Sequence, residues 1–456
     1  MNLVILLAAL VPWAASPTAA FTRIFLAVSV FSVEMQLVTL SGVGSLYTLP
    51  YANGVLALLL VGAQMAAAKR RPAAESSPWR ELSLPWPALA AIATVVLLLN
   101  AWLPLQAADP YHLDRVATIE RSGTLAYDPA LDPKVNILGS VYELVLADLR
   151  RVPAIGAGLV KMHGLLGLLL YTLTISAVCA WLPSGRIRWP AIALFVVPAV
   201  FHQFVLIKND LFLAAPALVA LAWLVSRASA ASWMDVAWAG WLIGIAIGSK
   251  PTNLALAIVA ASGLIAAARS RKHLLLGGLA VGLGAGLLAS GLPLKMWQNA
   301  QSYGDAFASG VVADMGNTTT SVADAATSVA RFGLSLLDLG LVTPTWWPGR
   351  GGWGGTFGLT FIWAVVVLAV SWGRAREARW ALMITSFQFL AFSAVFPDAD
   401  LSHRLALPPA LLSIAVAVHL VGRPGDFIVA RRALVPIVAL SGAQMLRSAV
   451  LYLSRA

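Results

Sequence analysis

Charge is what this chain has least of. Charged residues are 11% of its 456 positions, against roughly 25% in a soluble domain. That deficit excludes an ordinary water-soluble globule. Cysteine is nearly missing too: the single Cys179 lies in an apolar run, which excludes an intrachain disulfide framework and a cysteine metal site. Although bases exceed acids by 11, they are not gathered into a patch alternating with aromatics. A nucleic-acid partner is therefore not expected. No phosphate-binding glycine loop is evident, since the glycine-rich stretches at 277–286 and 349–355 fit neither a Walker nor a dinucleotide pattern. The first of these reads as helix packing. Heavy use of Ala and Arg with little Lys points to a high-GC bacterium.

What the chain has instead is apolar length. Hydrophobic residues reach 59%, and runs long enough to span a bilayer recur near 3–20, 24–46, 51–68, 84–105, 157–182, 189–207, 210–226, 234–249, 251–268, 274–295, 355–372, 380–397, 405–421 and 433–453. They predict an all-α polytopic membrane protein with about 11–14 transmembrane helices, some tilted or broken. The first run ends in Thr18-Ala19-Ala20, a little like a signal-peptidase site, but no basic segment precedes it, so it reads as a membrane helix.

Basic residues set the orientation. Arg23, Lys69–Arg71, Arg80, Arg186, Arg188, Arg227, Arg269, Arg271, Lys272, Arg374, Arg376, Arg379, Arg423, Arg431 and Arg432 fall on one side, which is expected to be cytoplasmic. The opposite side owns two long loops, 106–153 and 296–353. The expected organisation is N-terminal helices and a cytoplasmic linker in 1–83 and a catalytic transmembrane module in 84–295, which contains the first loop. The second loop follows in 296–353, and C-terminal helices occupy 354–456.

The first loop holds Asp109, Asp114, Glu120, Asp128, Asp132, Glu143 and Asp148, seven of the chain's 20 acids. Two amphipathic helices are expected there, from Pro110 to Ser122 and from Ser140 to Arg151, lying in the outer headgroup region. Most of these acids read as ordinary surface charges. Asp109 differs, because it stands at the very end of a membrane helix, before Pro110, where a charge is costly. Three short islands break the apolar pattern on the same side: Lys208-Asn209-Asp210, Gly248 to Asn253, and Ser402-His403-Arg404. Their ionised residues read either as snorkelling anchors or as groups lining a wet cavity. Lys and Arg are natural partners for a phosphate.

Asp109-Pro-Tyr-His-Leu-Asp-Arg-Val, followed by Ser-Gly-Thr-Leu, resembles the first outer loop of GT-C superfamily glycosyltransferases, in the style of protein O-mannosyltransferases and aminoarabinose transferases. Asn209-Asp210-Leu-Phe is similar to that superfamily's second acidic loop, Gly244 to Lys250 to its glycine-lysine turn, and His403-Arg404-Leu-Ala-Leu-Pro408 to its late Arg-x-x-x-Pro. The likeness covers residues 84–410. Three spans precede the first matching helix, Pro110 replaces an acid found in some relatives, and no soluble carbohydrate-binding domain is expected after the last span.

The resemblance implies transfer of a sugar from a polyprenyl-phosphate carrier to a glycan, lipid or protein acceptor, at the periplasmic face of a bacterial inner membrane. It implies Asp109 and Asp210 as catalytic residues. Tyr111, His112, Arg115, Lys208, Lys250, His403 and Arg404 are implied as substrate-binding. Asp109 suits a general base, and Lys208, Lys250 or Arg404 suits a departing phosphate. No cofactor is required; a divalent cation through Asp109 and Asp210 is an option, and the histidines read as hydrogen-bonding groups, not metal ligands. Trp346, Trp347 and Trp353 in the second loop read as interfacial belt residues or as a lid that stacks on sugar or lipid. A polysaccharide ligase or polymerase is the nearest alternative. A secondary transporter is less favoured, since no repeated halves are found.

Overall fold

The computed structural model describes residues 1–68, 86–102, 110–133, 136, 141–152, 159–182, 189–205, 210–227, 231–250, 253–267, 272–309, 322–335, 352–395, 406–423 and 427–453. Every regular element among them is helical. The first half of the chain gives α1 (Asn2–Leu10), α2 (Pro17–Ser41), α3 (Leu49–Ala68), α4 (Trp86–Trp102), α5 (Pro110–Ser122), α6 (Val141–Arg150), α7 (Leu159–Trp181), α8 (Ile192–Phe195), α9 (Pro198–Val205) and α10 (Asp210–Arg227). The second half gives α11 (Trp233–Ser249), α12 (Leu254–Ala267), α13 (Lys272–Ala289), α14 (Leu292–Tyr303), α15 (Val322–Ser335), α16 (Gly352–Val370), α17 (Arg376–Val395), α18 (Leu407–Gly422) and α19 (Ile428–Leu453).

Five of these, α2, α3, α7, α10 and α19, are long and apolar enough to cross a membrane, and α13 with α14 makes a sixth if the bent pair is one span. Six shorter apolar helices accompany them. Among the described residues fewer helices qualify by length than the apolar runs suggest, and several runs are broken locally. Pro12 ends the first run early in a 3-10 turn. The run at 189–207 is broken into Trp189–Ala191, α8 and α9, with Pro198 starting the last piece. The run at 274–295 breaks after Ala289, where Ser290 and Gly291 turn the chain by 60° into α14. Within α16, Gly358 takes φ +74°, which L residues rarely adopt, and kinks the helix against Pro198.

The core forms around α10 and α18, whose sequences are apolar on every side, as a fully surrounded helix must be. Asp210 through Val225 is buried except Phe212, and Leu407 through Val421 is buried throughout. The two pack together, with α7, α9, α11, α16 and α17 around them. α11 opens with a capping box in which Ser232 and Asp235 exchange side chain-to-backbone bonds. It lies against α13 with no side chains between: a Cβ on Gly282 would stand 2.0 Å from the Ala237 carbonyl oxygen, and one on Gly286 2.2 Å from that of Trp241. Glycine thus permits backbone-to-backbone contact along the 277–286 stretch.

A second cluster joins α1, α2, α5, α6 and α14 through Leu6, Phe31, Met35, Val116, Ile119, Leu144 and Leu294. Both expected amphipathic helices form, at α5 and α6. Their setting is not the open headgroup layer, however. Val141 through Asp148 is buried, and α6 is enclosed by α1, α2, α5 and α7. α3 is the opposite case, showing Tyr51, Val55, Leu58 and Leu59 outward, as a lipid-facing helix does.

Candidate functional site

α10 begins and α11 ends at the same end of the bundle, because the two run antiparallel over a short connection. This brings Asp210 and Lys250 together across 40 residues of sequence, as an Nζ–Oδ1 ion pair. The Asp210 side chain is 1% exposed and that of Lys250 19%, so the pair reaches from the interior toward the surface. Gln203 on α9 donates from Nε2 to the other Asp210 oxygen at 3.1 Å. Lys250 itself is held by its backbone: its N–H donates to the Ala246 carbonyl, which also accepts from Asn253 Nδ2, and its own carbonyl accepts from the Asn253 N–H. Two successive polar islands of the sequence are therefore one site.

A second buried pair lies on the loop helices. His112 of α5 places Nδ1 2.5 Å from Glu143 Oε1 of α6, and both side chains are almost wholly enclosed. The Glu143 carboxylate orients the imidazole through this contact. Tyr142, next along α6, shares a hydrogen bond between its hydroxyl and His163 Nε2 of α7. The Tyr142 ring meets His112 edge-on at 5.5 Å and Phe212 at 5.7 Å. Phe212 is two residues from Asp210. The aromatic step from His112 through Tyr142 to Phe212 connects the two charged pairs without a break in packing.

The loop around them is tied from several sides. Arg115, 1% exposed, donates from its terminal nitrogens to the Leu125 and Ala126 carbonyls at 3.0 and 3.1 Å. Burial draws its guanidinium below the ordinary value, while Glu143 and Asp128 pull the other way; an arginine remains charged throughout. Thr39 of α2 accepts from the Leu125 N–H at 2.9 Å. Glu120 pairs with Arg150 at 3.3 Å, and burial pushes its carboxyl up against the pull of Arg150 and Arg151. Arg151 lies over the Tyr47 ring, 4.4 Å from its centre. Asp148 accepts from the Asn2 and Leu3 N–H groups at 2.9 and 2.8 Å, so α6 caps the start of α1.

Of the residues singled out from sequence, His112, Arg115, Asp210 and Lys250 stand in this region. The backbone of Tyr111 belongs to α5. Asp109, Lys208, His403 and Arg404 lie outside the described residues, as do Trp346 and Trp347. Among the described residues no three His, Cys, Asp or Glu side chains gather as a metal site. Sequence reasoning missed Glu143, Tyr142, His163, Gln203 and Lys295. Glu143 looked like one of many surface acids, because a helical pattern shows which face is apolar but not what covers the other one. Lys295 carried a usable signal, an unpaired charge at the end of an apolar run. No protein-family model matches this chain, and no curated protein matches it.

Proposed function

We propose that this chain is a GT-C-type glycosyltransferase of the bacterial inner membrane, with the Asp210–Lys250 end facing outward and the segments 106–153 and 296–353 as its two long periplasmic loops. It moves a sugar from a polyprenyl-phosphate carrier to a glycan, lipid or protein acceptor. The observation that carries the reading is the buried ion pair Asp210–Lys250 and the buried His112–Glu143 hydrogen bond in a largely apolar bundle, with Tyr142 and Phe212 between them. Charges in such surroundings are costly and mark function more often than structure.

In the proposed reaction the acceptor hydroxyl oxygen attacks the anomeric carbon, its proton passes to Asp109, and the bond between that carbon and the phosphate oxygen breaks. The polyprenyl phosphate leaves with the electron pair. Lys250, held by Asp210, meets the charge that develops on the phosphate, together with Lys208 and Arg404. His112 and Tyr111, which follow Asp109 closely in sequence, serve the sugar and acceptor. In this reading the step takes place at the outer face, which the lipid carrier reaches laterally from the bilayer.

The test is to incubate purified protein in proteoliposomes with a radiolabelled polyprenyl-phosphate sugar and inner-membrane extract as acceptor source. Loss of label from the carrier, dependent on Asp109 and Asp210, supports the reading. Export or uptake of solute with no carrier turnover would replace it with the transporter alternative.

A further inference from the structure

α14 carries a face with no ordinary structural explanation. Lys295, Gln298 and Asn299 sit at i, i+3 and i+4, so they share one side of the helix, and all three are at least 95% buried. Lys295 Nζ has no hydrogen-bond partner among the described residues, nor have Gln298 Oε1, Asn299 Oδ1 and Glu143 Oε2. These groups belong together. Lys295 lies within electrostatic range of Arg115 and Glu143, and Gln298 Nε2 donates at 3.0 Å to the same Leu125 carbonyl that Arg115 uses. One strong donor and three acceptors are thus buried side by side beside the His112–Glu143 pair, each lacking a complement.

A buried polar group left unmatched is costly, so such a set calls for a ligand with the complementary pattern. A phosphate or carboxylate would satisfy Lys295 but leave the three acceptor oxygens orphaned, since an anion offers them no hydrogen. An apolar ligand satisfies nothing. Adjacent hydroxyls both accept from an ammonium and donate to carboxylate or amide oxygens. We propose that Lys295, Gln298 and Glu143 form a subsite for the hydroxyl groups of a neutral sugar. The inference rests on the glycosyltransferase reading and deepens it, because the sugar is the one the carrier brings. Charge narrows the class further: the formal charges of Lys295 and Arg115 are matched by those of Glu143 and Asp128, so a sugar without a charge of its own fits best.

Lys295→Met tests it in the full-length protein in nanodiscs. The probes are farnesyl phosphate, farnesyl-phosphate glucose, mannose and arabinose, the 4-amino-4-deoxyarabinose analogue, and the corresponding methyl glycosides at millimolar concentration. At least one neutral sugar-bearing probe binds wild type, and the substitution weakens it by roughly ten- to a hundredfold. Farnesyl phosphate is bound equally by both proteins, and the amino sugar binds wild type less tightly than its neutral counterpart. Removing an unpaired buried charge also raises the melting temperature by roughly 2–6 °C, which shows that the variant is folded. Equal weakening toward farnesyl phosphate makes Lys295 a phosphate ligand and overturns the proposal. Unchanged sugar binding makes the groups water-filled structure and overturns it too, as does a wild type that binds no sugar probe. Binding of methyl glycosides through Lys295 without any binding of the lipid-linked sugars keeps the subsite and removes the lipid-donor reading instead.

Discussion

Asp210 and Lys250 neutralise each other in a setting where neither would be tolerated alone. Taking Lys250 away leaves the buried Asp210 carboxylate its bond from Gln203 but removes its cation. Lys250→Met therefore lowers stability by about 3–5 kcal/mol, while Asp210→Asn combined with Lys250→Met recovers most of the loss, a difference read from thermal unfolding of the three variants. The catalytic expectation falls on Asp109. Asp109→Asn keeps size and most hydrogen bonding but removes basicity, so turnover falls by about two to four orders of magnitude while donor binding survives. Asp114, exposed on α5, serves as the control, and Asp114→Asn costs much less. Near-normal turnover in Asp109→Asn beside an inactive Asp210→Asn would move the base to Asp210.

Among the helices, α13 shows how position decides the effect of one residue type. Gly282 faces the Ala237 backbone, which has no side chain to swing aside, whereas Gly284 on the same helix has open space around its Cα. Gly282→Ala parts α11 from α13 and destabilises by about 1–3 kcal/mol, while Gly284→Ala stabilises by about 0.5–1 kcal/mol through helix propensity. Melting temperatures that move the same way in both would contradict the packing argument. This stretch was legible in the sequence as a packing face, because small residues at close spacing have few other uses in an apolar helix. The all-helical class and the bounds of α5, α6, α10 and α11 were legible for similar reasons, since period and caps are local. The bend at Gly291 and the broken run at 189–207 were not, because apolar composition runs straight through a kink. Lys250 could be named from its island, but its pairing with Asp210 depends on how two helices lie side by side. Glu143 was lost for the same cause.

For the molecule as a whole, the uneven distribution of bases predicts which end faces the cytoplasm. In a Cys179→Ala background, cysteines at Ser122 and Thr320 are expected to react with an impermeant maleimide from outside the cell. Those at Glu75, Ile187 and Arg374 are expected to react only after the inner face is opened. Labelling of Ser122 solely from within would invert both the map and the side from which the proposed carrier is expected to reach the site.

Asp148 has a consequence for the order in which the protein is built. The N–H groups at the start of α1 find their acceptor 145 residues later, on α6. Among the described residues five helices, α1 to α5, precede that carboxylate in the chain, so the start of α1 stays uncapped until α6 has been made. A nascent chain halted before residue 148 therefore lacks both this cap and the Asp210–Lys250 pair that follows it in the chain.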